Sequence, residues 1–197
     1  FLRRLWGWGY AHQADLIGSK AAVDYSGASK AVKDFRRDVY TTLKQAEADF
    51  DRMQYNTVVS AAMKMLNSIE AFRPEDELGR AALEECASLL LRVLYPIAPH
   101  ITTVLWTELG FDKAFDCELI DAPWPEIDQA ALVADELKLV VQVNGKLRGQ
   151  ILVPASASKA DIEAAALANE DVKRFVGEAT VRKVIIVPGK LVNVVAK

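Results

Sequence analysis

The residues of this sequence that could do chemistry are few, and none has catalytic or metal-binding spacing. His12 and His100 are the only histidines, and neither has another metal ligand at the spacing of a zinc site. Cys86 and Cys117 are 31 positions apart and form no Cys-x-x-Cys pair. No Ser-His-Asp arrangement, Walker phosphate loop or glycine-rich dinucleotide fingerprint is present. We therefore predict no catalytic residue, no metal ligand and no cofactor in this chain.

Lysines and arginines near the C-terminus indicate a site for binding an anion and not for catalysis. Two β-branched runs between Val181 and Val195 flank Pro188-Gly189, a pattern that is typical of a hairpin. Cations on a hairpin are held at fixed positions, where they can contact phosphates without reading a base sequence. The predicted contacts on the two C-terminal hairpins are Lys146, Arg148, Arg182, Lys183 and Lys190.

A second group of cations lies on a predicted helix in the first half of the chain. Their spacings of three, four and seven residues place them on one helix face. The neighbouring acids Asp34 and Asp38 can pair with them, so a solvated face and a phosphate-contacting face are equally open interpretations. The cations of this face are Lys30, Lys33, Arg37 and Lys44.

The charge of the chain is unevenly distributed, although its net charge is only −3. Residues 1–107 are neutral overall, residues 108–136 have a net charge of −8, and residues 137–197 have a net charge of +5. A basic terminal module favours nucleic acid or another anionic partner. Chance clustering on a solvated surface is an equally open interpretation of the charge alone.

Apolar periodicity predicts that helices position the first group of cations. Three apolar stripes recur at spacings of three and four residues, and they can be buried only against one another. Pro96 and Pro99 end or kink the third helix before a short helix over 101–109. The sequence therefore predicts an antiparallel helix bundle over 1–110. The stripes occupy residues 32–50, 55–69 and 83–94.

The next segment, residues 111–136, has no sustained apolar period. It is strongly acidic and contains Pro123 and Pro125. We therefore expect an irregular connector with Trp124 docked onto a neighbouring element.

After the connector the apolar period changes to two, which predicts strands. Asn-Gly at 144–145, between two alternating runs, is a strong hairpin signal. A two-residue loop would place Arg148 on the same face as Val141, whereas a three-residue loop would pair Val141 with Leu147. Because burying a cation is costly, we expect the three-residue loop.

In the rest of the C-terminal module, a helical region is followed by a second hairpin. Ser158 and Asp161 form a near capping box that opens an alanine-rich helix, and Asn169 can cap a second, shorter one. With the closing hairpin, the sequence predicts a small β-β-α-β-β domain over 137–197. The predicted fold class of the whole chain is α+β.

Length and composition are those of a globular chain. It has 197 residues, of which 51% are apolar, and no apolar run approaches the roughly 20 residues that span a bilayer. Two free thiols fit a reducing, cytoplasmic environment. The first residue is Phe1 rather than Met, so we expect a fragment of a longer protein. We expect no membrane partner and no DNA partner.

Several segments resemble a known family. Residues 94–106 and the Trp-Pro segment 121–125 resemble the helix-bundle region of class I aminoacyl-tRNA synthetases of the leucine, isoleucine and valine group. Residues 141–149 and 181–195 closely resemble the C-terminal part of the bacterial leucyl-tRNA synthetase family, and residues 1–6 resemble the helix after its catalytic core. The resemblance covers essentially the whole chain.

The resemblance implies a tRNA-binding function for both parts of the chain. The bundle over 1–110 would be of the anticodon-binding type and would dock along the body of tRNA(Leu), and the basic hairpins of the small domain would touch its elbow. Leucylation with ATP and Mg²⁺, and editing, would belong to upstream domains of a leucine–tRNA ligase that acts as a monomer. Where related sequences carry a further basic residue after Arg148, this chain has Gly149-Gln150, which weakens the expected contribution of that strand.

Two other interpretations remain open from the sequence. The first is the equivalent region of a valyl- or isoleucyl-tRNA synthetase, because the bundle motifs fit all three enzymes. The second is a non-enzymatic protein-interaction module whose basic hairpins meet acidic protein surfaces.

Overall fold

The computed structural model describes residues 1–13, 16, 23–133, 136–155, 157–177, 181–187 and 190–196, and the side chains of all these except 136–138. The chain forms two compact units, Phe1–Val133 and Ala134–Lys197. The first unit is helical in its described residues, and the second contains a sheet, which confirms the predicted α+β class.

The first unit is a bundle built on the three predicted apolar stripes. The stripes lie on α2, α3 and α4, whose buried faces form one core that includes Val39, Leu43 and Met65. Connections of only a few residues join these helices, as expected for antiparallel neighbours. The helices are α1 (Leu2–Ala11), α2 (Lys30–Asp51), α3 (Tyr55–Ala71), α4 (Glu77–Leu94), α5 (Pro99–Glu108) and α6 (Phe111–Phe115).

Polar side chains and prolines set the ends of these helices. The side chain of Ser29 accepts a hydrogen bond from the backbone N–H of Val32 at the start of α2, and Asp76 does the same for Gly79 at the start of α4. Pro99 occupies the first turn of α5, where it removes no helical hydrogen bond. The break predicted after the third apolar stripe is therefore confirmed, and it lies between α4 and α5.

The segment that we expected to be an irregular connector packs on the bundle up to Val133. Phe111 begins the short helix α6 and is fully buried in the bundle core, together with Leu119. Trp124 is docked as predicted, with its ring centroid 4.9 Å from that of Phe50. Buried residues in turns have no period, which is why the sequence pattern did not reveal this packing.

The second unit has a four-stranded sheet in the order β2-β1-β4-β3. The two central strands β1 and β4 are parallel, and each pairs with its outer strand in an antiparallel hairpin. This is the predicted β-β-α-β-β order, with the helical part divided in two. Its elements are β1 (Glu136–Val143), β2 (Lys146–Pro154), α7 (Lys159–Ala168), α8 (Glu170–Val176), β3 (Val181–Val187) and β4 (Leu191–Ala196).

The helices cover one face of this sheet. Leu139, Val141 and Val143 of β1 are buried in the same core as Val192 of β4 and Ala166 of α7. Because strand side chains alternate, the intervening residues form the other face, where large apolar side chains stay exposed. These exposed residues are Leu147, Leu152, Ile185 and Val187.

The predicted three-residue loop of the first hairpin is wrong. Val143 pairs with Lys146, so the loop consists of Asn144 and Gly145 alone, both with positive φ angles of 50° and 78°. The Asn144 amide donates to the backbone oxygen of Ala196 and accepts from its N–H, which ties the turn to β4.

A β-bulge, and not a longer loop, keeps Arg148 away from the core. The register shifts between Val141 and Gln142, so that Val141 pairs with Gly149 and Arg148 is the extra residue of β2. Arg148 is thereby not placed opposite Val141 above the core. The strand thus avoids the cost of burying a cation with a bulge and not with a longer loop.

Candidate nucleic-acid interface

The pairing of the strands brings four of the five C-terminal cations to one end of the sheet. Because β1 and β4 are parallel, their carboxyl ends lie side by side. Lys146 pairs with Val143 at the end of β1, and Lys183 pairs with Val195 near the end of β4. We call this group the cationic end, and it consists of Lys146, Arg148, Arg182 and Lys183.

The cationic end has two halves on opposite outer strands. Two of its residues lie on β2 and two on β3, with the two central strands between them. Three strand spacings separate the halves by about 14 Å. An extended anion is needed to contact both halves at once.

Lys190 does not join this group. It precedes β4, and its backbone oxygen accepts a hydrogen bond from Val140 N–H, 3.4 Å away, at the opposite end of that strand. The length of β4 puts it roughly 17–20 Å from the cationic end. The turn that the sequence predicts at residues 188–189 lies outside the described residues.

Both arginines of the cationic end occupy β-bulges. Arg148 is the extra residue of β2, and Arg182 is the extra residue of β3, where Val181 pairs with Ala196 and Lys183 with Val195. A bulge turns a side chain away from its alternating position and also obstructs pairing with another strand. The sequence pattern identified these cations but not the bulges that orient them.

Three of the four cations are available to an external anion. Lys146, Arg182 and Lys183 are exposed, and none forms an ion pair with any residue that the structure describes. Arg148 is half-buried, and its guanidinium carbon lies 3.8 Å from the ring centroid of Phe175. No described residue therefore neutralises Lys146, Arg182 or Lys183 through an ion pair.

The α2 cationic face, formed by Lys30, Lys33, Arg37 and Lys44, differs in this respect. Asp34 lies among these residues and binds two of them, with Lys30 Nζ 3.0 Å and Arg37 Nη2 2.6 Å from its carboxylate. Burial raises the pKa of Asp34, but the hydrogen bonds and charges of Lys30 and Arg37 lower it by more than burial raises it. The pKa of Asp34 is therefore below its usual value. This carboxylate reduces the charge that the face offers to a polyanion.

Sequence reasoning missed the strongest polar cluster in the first unit. Arg36 is 5% exposed, and it donates two hydrogen bonds of 2.8 Å to Glu85 and one of 2.8 Å to Asp128. Tyr40 donates to the same Glu85 carboxylate, and the Tyr25 ring lies under the Arg36 guanidinium at 3.7 Å. The available signal was the position of Arg36, next to Phe35 on the apolar stripe.

The geometry of this cluster indicates a structural role. It joins α2 to α4 and, through Asp128, to the segment that follows α6. Its one cation is bound by two carboxylates, so the cluster offers no free positive charge to a polyanion. It positions the bundle elements that carry the α2 cationic face.

Within the described ranges, no group of three or more histidines, cysteines or acids could hold a metal ion. No described helix is long and apolar enough to cross a membrane.

Comparison with known proteins identifies the family. The sequence profile described as "Anticodon-binding domain of tRNA ligase" matches residues 33–164, which is more than half of the chain. The chain belongs to this family. The resemblance found in the sequence is thereby confirmed, and so is the anticodon-binding-type bundle.

Curated relatives of this anticodon-binding domain cover both units. The chain is 56% identical to "Leucine--tRNA ligase" of Bordetella petrii over 99% of its own length, and 53% identical to that of Ralstonia pickettii over 100%. It spans 22% of the length of each relative. The cationic end lies inside the matched region in both.

A solved structure shows the same fold. The chain superposes on a crystal structure of Agrobacterium radiobacter K84 agnB2 LeuRS, in a ternary complex with tRNA and LeuAMS, with a TM-score of 0.81. The match covers 100% of this chain and 24% of that one at 24% sequence identity.

Proposed function

We propose that this chain is the tRNA-binding region of a leucyl-tRNA synthetase. It would hold tRNA(Leu) while parts of the longer protein outside this chain carry out leucylation and editing. The observation that carries the proposal is the identity of 53% to 56% with proteins named leucine–tRNA ligase over essentially the whole chain. Because these relatives are leucine enzymes, the valyl and isoleucyl alternatives are not favoured.

The cationic end is the proposed main contact with the tRNA elbow. Its exposed cations would neutralise backbone phosphates and release counterions, which supplies affinity without base recognition. The two halves, about 14 Å apart, suit a curved RNA surface better than a single anion. The α2 cationic face would add weaker contacts along the tRNA body, and Lys190 would add one more contact at the elbow, away from the cationic end.

The remaining properties of the longer protein follow from the same proposal. ATP and Mg²⁺ would act in parts of the protein outside this chain, and this chain would need no cofactor of its own. The protein would work in the cytoplasm as a monomer, with tRNA(Leu) as its nucleic-acid partner and with no membrane or DNA partner.

The test is the salt dependence of tRNA binding. A labelled tRNA(Leu) transcript is titrated with the 197-residue chain between about 50 and 200 mM KCl. With three to four phosphate contacts, the logarithm of affinity should fall with the logarithm of salt concentration with a slope of about −2 to −4.

Two controls make this test specific. A tRNA for a different amino acid measures the part of the affinity that is not specific for tRNA(Leu). An acidic protein offered as competitor tests the protein-interaction alternative. Equal affinity for tRNA at low and high salt would contradict the proposal.

A further inference from the structure

One arginine of the cationic end is arranged differently from the other cations. The guanidinium carbon of Arg148 lies 3.8 Å from the ring centroid of Phe175, which is contact distance for a cation stacked on an aromatic ring. Phe175 lies on α8 and is 48% exposed, although it is a large apolar side chain. Arg148 is half-buried against it.

The position of this pair is set by the backbone on both sides. The bulge in β2 turns Arg148 out of its alternating position. Asn169 caps α8 by accepting from the N–H groups of Asp171 and Val172, and its amide donates to the backbone oxygen of Gln150, 3.1 Å away. The strand that carries Arg148 and the helix that carries Phe175 are thereby joined.

A glycine allows this close approach. A Cβ at position 149 would lie 2.9 Å from Asn169 Oδ1, too close for any other residue without displacement. Gly149, which follows Arg148 in the sequence, therefore leaves room for the contact of Asn169 with β2 that holds the pair in place.

The pair lines a shallow concavity at the outer edge of the sheet. Its volume is about 540 Å³. Leu147, which is 60% exposed, contributes a second apolar side chain to it. The lining residues are Leu147, Arg148, Gly149, Gln150, Asp171 and Phe175.

Such a lining suits a flat, partly apolar group better than a phosphate alone. A phosphate needs only charge and donors, which the exposed lysines of the cationic end already offer. Guanidinium planes and aromatic rings are the surfaces on which proteins stack exposed nucleobases. An arginine already held on a ring loses little conformational freedom when a base covers it.

We propose that Arg148 and Phe175 form a stacking platform for one exposed nucleobase of the bound tRNA. This inference rests on the proposed tRNA-binding function. The base stacks on the pair, and its backbone phosphate lies within reach of the cationic end. Stacking does not depend on hydrogen bonds to a base edge, so the platform positions the tRNA without selecting a base.

Two conservative substitutions test the platform in the 197-residue chain. Phe175→Leu keeps an apolar side chain but removes the aromatic ring, and Arg148→Lys keeps the charge but removes the planar group. Each should lower affinity for tRNA(Leu) by about 5- to 20-fold and leave the salt slope unchanged. The matched control, Lys146→Ala, should reduce the steepness of the slope by about 1. Thermal melting confirms that each variant is folded.

A tRNA(Leu) series with single abasic nucleotides identifies the base. One abasic position should weaken binding to the unmodified chain, and Phe175→Leu should bind that RNA no more weakly than it binds intact tRNA. Unchanged affinity of Phe175→Leu, or no sensitive abasic position, would overturn the platform while a persisting salt slope leaves the proposed function intact. If the unmodified chain binds tRNA without salt dependence, the proposed function and the platform both fail.

Discussion

The cations of the two units differ in how many of them are paired with acids. In the first unit, Arg36 is buried between two carboxylates, and Asp34 binds Lys30 and Arg37 on the α2 cationic face. At the cationic end of the second unit, the exposed cations have no ion pair among the described residues. The same residue types thus stabilise a fold in one unit and are free for a ligand in the other.

The backbone explains this difference. A helix brings residues three and four positions apart together, so a sequence that clusters cations at that spacing also brings acids such as Asp34 into reach. On the outer strands β2 and β3 the bulges carry arginines outward, where the neighbours of each strand are on one side only. Clustered charge is therefore a better sign of a binding site on an edge strand than on a helix.

The largest expected effect is the loss of a buried partner in the first unit. Arg36→Ala leaves Glu85 and Asp128 without their counter-charge, and since both are partly exposed the free energy of unfolding should fall by about 2–4 kcal/mol. All four tryptophans lie before residue 125, so urea unfolding followed by tryptophan fluorescence reports on this unit.

The neighbouring Arg37 is the matched control for this prediction. Its ion pair with Asp34 lies at the surface, so Arg37→Ala should cost less than about 1 kcal/mol. Equal losses for the two variants would contradict the assignment of Arg36 to a buried structural cluster.

Removing the free charges should have the next largest effect, and on binding rather than stability. The triple change Lys146, Arg182 and Lys183 to alanine should lower affinity for tRNA(Leu) by about 10- to 100-fold at low salt and reduce the steepness of the salt slope by about 3. The measurement is the KCl titration described above.

A triple change on the α2 cationic face provides the comparison. Lys30, Arg37 and Lys44 to alanine should lower affinity by less than about 5-fold, because Asp34 already cancels part of that charge. A larger loss on the helix than at the cationic end would reverse the assigned roles of the two surfaces.

The acid stability of the first unit should depend on Asp128. Burial raises the pKa of Asp128, but the hydrogen bond from Arg36, a backbone hydrogen bond and the Arg36 charge together lower it by more. The pKa of Asp128 therefore lies below its usual value. A carboxylate with a lowered pKa contributes stability above its unfolded pKa and loses it as the pH falls through the folded pKa, here below about pH 4.

Asp128→Asn removes this proton-linked contribution. The variant should be less stable at neutral pH and should lose less further stability between about pH 5 and pH 3 than the unmodified chain does. Urea midpoints from tryptophan fluorescence at each pH test this. Parallel loss of stability in both proteins would show that Asp128 does not supply the acid dependence.

The smallest expected effect is a gain in tRNA affinity on the α2 cationic face. Asp34→Asn removes the carboxylate that binds Lys30 and Arg37, so the α2 cationic face should contact tRNA more strongly, by about 2- to 3-fold in affinity. Asp38→Asn, on the same helix, is the matched control and should have a smaller effect. If Asp34→Asn weakens binding, the pairing with Asp34 orients the cations instead of cancelling them.

Elements with a clear period were predictable from the sequence. The bundle helices, the capping box at Ser158, the N-cap at Asn169 and the order of the C-terminal module all follow from local spacing, since each depends on residues a few positions apart. The nine candidate cations were also identified this way. Their division into a free group at one end of a sheet, a distant Lys190 and a partly paired helix face was not.

The sequence alone determined the element types, the excess of positive charge in the second unit and the family resemblance. Only the tertiary structure decided the loop length at Asn144-Gly145, the bulges at Arg148 and Arg182, and the burial of Arg36. The physical reason is the range of the interactions. Periodicity and capping act between near neighbours, whereas strand register, ion pairs and the stacking of Arg148 on Phe175 depend on residues that folding brings together from distant positions.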